Sequence, residues 1–206
     1  MTITVINFGL GNIASVSNMI RKVGGEVNVC NTPDNLRYAE KILLPGVGSF
    51  DCGMQLLKKG GWLNVLREAV IERQVPILGI CLGMHLMCIS SEEGKDSGLG
   101  WVKAEVKRFD LDNLGKLKVP HMGWSTIKTI KENPLLDEVT QNERFYFVHS
   151  YYVKCNDDKN IIATAEYGEI FTAAFHYRNI FGVQFHPEKS HRFGMKLMKK
   201  FVDLPC

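Results

Sequence analysis

The segment Pro76-Ile-Leu-Gly-Ile-Cys-Leu-Gly-Met84 constrains the fold of this chain more than any other. An apolar run enters Gly79-Ile80-Cys81-Leu82-Gly83, and a helix-like stretch follows. The pattern predicts a buried strand over Ile77 to Ile80 that turns sharply into a helix opened by Cys81. In such an elbow the central side chain is pushed into a strained, exposed position. Its neighbours must be small, because the backbone folds tightly against itself. The start of the helix lends partial positive charge, which favours the thiolate, the reactive form of a cysteine. A cysteine in an apolar strand is more commonly just a small core residue. A catalytic reading therefore needs partners elsewhere in the chain.

Those partners stand near the C-terminus, in Gly182-Val-Gln-Phe-His-Pro-Glu-Lys-Ser190. This is a second apolar strand ending in a polar cluster. His186 and Glu188 are two residues apart, so on an extended backbone they point the same way. Pro187 between them fixes one φ. A thiol needs a base, and the base needs an acceptor to orient it. His186 suits the first role and Glu188 the second. A His-Pro-Glu alone would be read as a surface turn; with the Cys81 elbow in the same chain it reads as the rest of a triad.

At these residues the chain resembles the triad-type, class I glutamine amidotransferases. Asn7-Phe-Gly-Leu-Gly-Asn12, Leu44-Pro-Gly-Val-Gly-Ser-Phe50, Pro120-His-Met-Gly-Trp124, Phe147-Val-His-Ser-Tyr151 and Gly182 to Ser190 narrow the likeness. It narrows to the glutaminase subunits of imidazole glycerol phosphate synthase and runs from Thr4 to Phe201. The resemblance implies an oxyanion hole at Gly46, Val47 and Gly48, completed by Leu82 beside the nucleophile. It also implies that His149, Ser150 and Tyr151 hold the backbone of L-glutamine. Trp124 and Tyr146 match positions close to a docking face. The implied partner is a (β/α)8 cyclase subunit in a heterodimer, which receives ammonia for histidine biosynthesis. No metal and no organic cofactor are implied.

One position departs from the family pattern. Gly-x-Cys-x-Gly-x-Gln is expected at the elbow, and here the last position is His85. It stands four residues after Cys81, on the same helical face. An imidazole lacks the paired donor and acceptor of an amide. Weaker glutamine binding with retained turnover is the expectation. Two other readings stay open: a paralogous amidotransferase that supplies ammonia for an amidinated surface-glycan sugar, and a catalytically silent subunit that only activates its partner.

The rest of the chain agrees with a globular enzyme. Its 206 residues suit one domain, 1–206, with a sizeable core. The net charge of +3 is too small and scattered to argue for nucleic acid. The six cysteines (30, 52, 81, 88, 155 and 206) show no Cys-x-x-Cys spacing, which fits a reducing, cytoplasmic setting. No apolar run reaches membrane length. Gly9-Leu-Gly11 lacks the third glycine of a dinucleotide loop. His121, His149 and His176 lack metal-ligand spacing.

Strands and helices alternate in the first half. Strands are predicted at Thr4 to Phe8, Glu26 to Cys30 and Lys41 to Leu44. Ile13, Val16, Ile20 and Val23 recur at helical spacing before Gly24-Gly25, and Leu63, Leu66 and Val70 mark another helix. After Trp101, strand runs are predicted at Phe145 to Val153, Ile161 to Tyr167, Phe171 to His176 and Ile180 to Phe185. A last helix carries Leu197, Met198 and Phe201. The expected class is α/β: a doubly wound, mostly parallel central sheet with flanking helices, plus a smaller antiparallel sheet. Ligands on such sheets sit outside the carboxyl ends of the strands, where Cys81 and His186 both fall.

Overall fold

The computed structural model describes residues 2–110, 117–137 and 142–205. The first half of the chain runs β1 (Thr2–Ile6), α1 (Ile13–Lys22), β2 (Glu26–Cys30), β3 (Lys41–Gly46), α2 (Phe50–Lys59), α3 (Trp62–Arg67), β4 (Ile77–Cys81) and α4 (Leu82–Leu86). Then follow β5 (Ser90–Ser91), β6 (Ala104–Arg108), β7 (His121–Thr126), β8 (Lys128–Thr129), β9 (Arg144–His149) and β10 (Tyr151–Cys155). The chain closes with β11 (Ile161–Tyr167), β12 (Glu169–Tyr177), β13 (Ile180–Val183) and α5 (His191–Asp203).

One sheet dominates, in the order β2-β1-β3-β4-β13-β12-β10-β6-β5, with β11 and β8 attached to β12. The strands from β2 to β13 are parallel. From β13 to β12, and on through β10 to β6, neighbours run antiparallel. The antiparallel half thus continues the same sheet, and among the described residues only β7 and β9 form a separate two-stranded antiparallel sheet.

The parallel strands are covered on both faces, as crossover helices require. Side chains alternate along each strand, so each strand feeds two cores. Ile3, Val5, Leu43, Leu78 and Ile80 pack with Val16 and Ile20 of α1 and Leu197, Met198 and Phe201 of α5. The intervening Ile6, Ile42, Leu44 and Ile77 pack with Phe50, Met54 and Leu57 of α2 and Trp62 and Leu66 of α3.

Glu26–Cys30 and Ile161–Tyr167 form strands with the expected bounds. The first strand starts earlier than expected, at Thr2, because it pairs in register with Glu26 to Cys30 and with Lys41 to Leu43. Helix α2 is not legible in the sequence: Phe50, Met54 and Leu57 form its buried stripe, but Cys52 and Gly53 obscure the pattern. The predicted single strand over Phe145 to Val153 is two strands, broken at Ser150. β9 pairs with β7 in the small sheet, whereas β10 pairs with β6 and β12 in the large one. The chain changes sheets at that point.

Lys41 is fully buried in a strand. Its ammonium donates to the Val202 carbonyl at 2.6 Å and to the Leu204 carbonyl. It thereby satisfies acceptors that the end of α5 leaves without helical partners. Among the described residues, no helix is long and apolar enough to cross a membrane.

Candidate active site

Strand β4 delivers Cys81 at the carboxyl edge of the sheet with φ 52 and ψ −108, a region that a side-chain-bearing residue rarely occupies. Tight packing enforces the turn. A Cβ on Gly79 would lie 2.8 Å from the Gly83 carbonyl carbon, and a Cβ on Gly83 would overlap the Leu44 carbonyl oxygen. Helix α4 therefore rests directly on β3 and β4. It spans only five residues, Leu82–Leu86, so its dipole adds less than the sequence suggested.

Strand β13 runs parallel to β4, with Val183 opposite Ile80. The chain then carries Gln184 past Cys81 to His186. The His-Pro-Glu segment, which its sequence led one to expect as extended, is not extended throughout. His186 itself is extended, but Pro187–Lys189 is one turn of 3-10 helix, closed by the Lys189 N–H on the His186 carbonyl at 3.0 Å. That turn brings the Glu188 carboxylate back to His186, where it accepts from Nδ1–H at 2.8 Å. Both side chains are almost completely buried, at 1% and 2% exposure.

The electrostatics follow from this burial. Loss of solvent works to lower the His186 pKa, but the Cys81 and Glu188 side chains flanking the ring outweigh it and raise the value to about 10. Among the described residues, neither the buried His186 Nε2 nor Glu188 Oε2 has a hydrogen-bond partner. The His186 backbone is also held: its N–H donates to the Tyr146 carbonyl at 2.9 Å, and its carbonyl accepts from Ser190 Oγ at 2.6 Å.

A cavity of about 500 Å³ opens over the sulfur. Val47, Gly48, Cys81, Leu82, His85, Glu93, Pro120, Val148, His149, Ser150, Tyr151, His186 and Lys189 line it. A larger cleft of about 800 Å³, between α2, α3 and Asp96 to Trp101, contains no histidine or cysteine. Of the sequence-derived positions, Gly46 does not line the cavity. It pairs with Cys81, and a Cβ there would lie 3.0 Å from the Gly83 nitrogen, so glycine permits β3 to approach α4. Trp124 and Tyr146 also lie outside the cavity. They face each other across β7 and β9 with ring centroids 5.9 Å apart. Trp124 is 41% exposed and stacks on His191 at 5.3 Å, while Lys189 reaches over the Tyr146 ring.

The histidines other than His186 and His191 divide into three settings. His149 donates from Nδ1 to the Tyr151 carbonyl at 2.8 Å and receives His121 Nδ1–H on Nε2 at 3.0 Å. Burial holds His149 well below its ordinary pKa and brings His121 to about 4. His176 stands apart, bonded to Asn133 and the Arg178 carbonyl and stacked on Phe181. His85 is 5% exposed, and burial, only partly offset by its hydrogen bond to Gln184, lowers its pKa to about 4. Among the described residues, no three His, Cys, Asp or Glu side chains converge to hold a metal ion.

Sequence reasoning passes over Gln184 and Glu93. Gln184 is fully buried and lies within the Gly182 to Ser190 segment, yet a lone glutamine in a strand carries no signal of its own. Glu93 accepts the Phe50 N–H at 2.9 Å, and burial raises its pKa. Its only sequence signal is a carboxylate twelve residues after the nucleophile.

The family profile "Glutamine amidotransferase class-I" matches residues 4–204. The chain is a class I glutamine amidotransferase. It is 52% identical to "Imidazole glycerol phosphate synthase subunit HisH 2" of Methanococcus maripaludis, over 97% of this chain and 98% of that protein. It is 47% identical to the protein of the same name from Pseudomonas aeruginosa, over 98% and 99%. Among solved structures it resembles "Structure of PurLQS from Thermotoga maritima", with a TM-score of 0.75, 19% identity and coverage of 98% and 97%. A second, "Crystal structure of glutamine amidotransferase", gives 0.70 at 17% identity, over 95% and 98%. These last two likenesses speak for the amidotransferase fold.

Proposed function

We propose that this amidotransferase is the glutaminase subunit of an imidazole glycerol phosphate synthase, forming one domain over residues 1–206. It releases ammonia from L-glutamine at Cys81 and passes it to a (β/α)8 cyclase subunit. The observation that carries this reading is the buried His186–Glu188 pair, with His186 lining the same cavity of amino-acid size as a strained Cys81. The two relatives above, both named as subunits of that synthase, support the choice of acceptor.

The chemistry runs from these groups. The Cys81 sulfur attacks the side-chain carbonyl carbon of glutamine, and the oxygen takes the negative charge. Backbone N–H groups at Val47 and Leu82 are assigned as its donors; one such donor is typically worth about 10²–10³ in rate. Gly48, at φ 114, gives the adjoining turn the freedom to aim an amide at that oxygen. His186, charged at neutral pH, protonates the departing nitrogen as the C–N bond breaks, and ammonia leaves. A γ-glutamyl thioester remains. Water then gives a proton to His186 and attacks the thioester; the C–S bond breaks and glutamate departs. Glu188 holds the imidazole throughout. Glu93, in the cavity lining, is assigned to the substrate ammonium, and His149, Ser150 and Tyr151, where the chain changes sheets, are assigned to the substrate backbone.

The exposed Trp124 with Tyr146 is assigned to the docking face for the cyclase. Free ammonia would protonate in water, so direct transfer gives the glutaminase its use. Glutamine hydrolysis should be slow in the isolated chain and rise when the cyclase and its ribulosyl-formimino aminoimidazole carboxamide ribotide substrate are added. Cys81→Ala should abolish hydrolysis while leaving the complex intact. Undiminished hydrolysis by that variant would sink the reading, as would a failure of the cyclase to bind or activate the chain.

A further inference from the structure

Gln184 lies between two groups. Its side-chain oxygen sits 2.7 Å from His85 Nε2, and its side-chain nitrogen points at Cys81 Sγ at 3.8 Å. Gln184 and His85 are both buried, at 0% and 5% exposure. An amide has two ends of nearly equal shape and opposite chemistry. With nitrogen toward the sulfur it donates to a thiolate. Turned over, it sets a carbonyl oxygen against the sulfur, which repels a thiolate and accepts from a thiol.

The geometry points to His85 as the positioning residue that decides between these orientations, holding the Gln184 amide with its N–H toward the nucleophile. An amide oxygen can only accept, so the bond requires the proton of His85 on Nε2. A neutral imidazole has one N–H, and burial keeps His85 neutral at working pH. The contact spans ninety-nine residues and ties α4 to the segment that leads from β13 to His186. His85 thus acts through Gln184 on the sulfur, a role separate from any contact with substrate. This inference rests on Cys81 being the nucleophile.

The test reads the sulfur with no glutamine present. Iodoacetamide alkylation of the full chain is followed across pH by mass spectrometry of the Cys81 peptide, which separates it from the other cysteines. His85→Ala and the space-filling His85→Leu remove the donor, and His85→Gln keeps one. Gln184→Met removes the amide.

Stabilisation of a charged acceptor by one such bond, weak at this length, corresponds to about three- to tenfold. The midpoint of the alkylation profile should therefore rise by about 0.5 to 1 in pH in His85→Ala, His85→Leu and Gln184→Met. It should return to near the wild-type value in His85→Gln. The other titratable groups that line the cavity with Cys81, namely His186, His149, Glu93, Tyr151 and Lys189, with Glu188 bonded to His186, are unchanged in all four variants. Thermal melting identifies the folded variants.

Folded His85→Ala or His85→Leu with an unmoved midpoint overturns the inference. So does a shift confined to Gln184→Met, which would show an amide that needs no help from His85. Glutamine hydrolysis by Cys81→Ser, run alongside, keeps the two claims apart. If that variant turns over normally, the nucleophile assignment fails; if it is inactive and the midpoints do not move, only the role of His85 fails.

Discussion

The two halves of the site are held in different ways. Cys81 is fixed by backbone against backbone: Gly79 and Gly83 let α4 settle on β3 and β4 with no room for a Cβ. His186 is fixed by hydrogen bonds, through Glu188, the Tyr146 carbonyl and Ser190. Close packing is all-or-none, because interiors are dense and relax only in part. A hydrogen-bonded support can lose one member and keep its shape. The nucleophile side should therefore fail as a fold, and the acid-base side as a catalyst.

The largest effect expected is at Gly83. Its Cβ would meet the Leu44 carbonyl oxygen, which belongs to a buried strand and cannot move aside cheaply. Gly83→Ala should lose more than about 4 kcal/mol or yield no folded protein. Chemical denaturation of the purified chain checks this. A variant within about 1 kcal/mol of wild type would show that the elbow is softer than its packing indicates.

Next is Glu188→Gln, which keeps shape and burial but removes the charge beside His186. The imidazolium loses one of the two partners that raise its pKa to about 10, so that value should fall. His186 must be protonated to release ammonia. The alkaline limb of the rate profile should thus lie near pH 10 in the wild type and move to lower pH in the variant. The turnover number should drop about 10²- to 10⁴-fold, the range for losing the group that orients a catalytic base. Stability carries the same sign. A raised folded-state pKa gives a contribution complete below the ordinary value of 6.5 and lost as pH rises through about 10. The stability advantage of wild type over the variant should shrink across that window.

Ser190→Ala is milder. The buried hydroxyl accepts the Tyr146 N–H at 3.0 Å and donates to the His186 carbonyl at 2.6 Å. Its loss takes the Ser190 acceptor from the Tyr146 N–H and leaves the His186 carbonyl with the Lys189 N–H alone, at about 1–3 kcal/mol. A melting shift with a smaller fall in turnover than that of Glu188→Gln is expected. The reverse ranking would mean that backbone placement, not charge, governs His186.

What the sequence made visible follows the same division. The elbow and the His-Pro-Glu are local, so their residue types announce them, and the parallel strands announce themselves by apolar runs between helical periods. The break at Ser150 does not. Burial alternates through Phe145, Phe147 and His149 and resumes at Val153, so the two-residue rhythm hides a change of sheet partner. Lys41 reads as a polar strand end because its acceptors, the Val202 and Leu204 carbonyls, lie more than 160 residues away. Gln184 and Glu93 were hidden for the same reason: each matters through a contact that only the folded chain brings together.

The smallest expected effect belongs to His85, where this chain departs from the family. The bond to Gln184 uses its one N–H, so toward the cavity the ring offers only the acceptor character of Nδ1. Glutamine, which carries an ammonium and an amide NH₂ but also a carboxylate and a carbonyl, needs donors as well as acceptors. His85→Gln supplies a second N–H and an oxygen beyond those needed to hold Gln184. The KM for glutamine should fall several-fold, well under the tenfold of about 1.4 kcal/mol, with little change in kcat. Steady-state hydrolysis in the presence of the cyclase measures both. An unchanged or higher KM would mean that His85 serves the nucleophile alone and that substrate affinity is set by Glu93 and the His149 to Tyr151 segment. A fall in kcat with KM unchanged would instead place the imidazole in the chemistry, joining the packed side of the site to the hydrogen-bonded side through a single side chain.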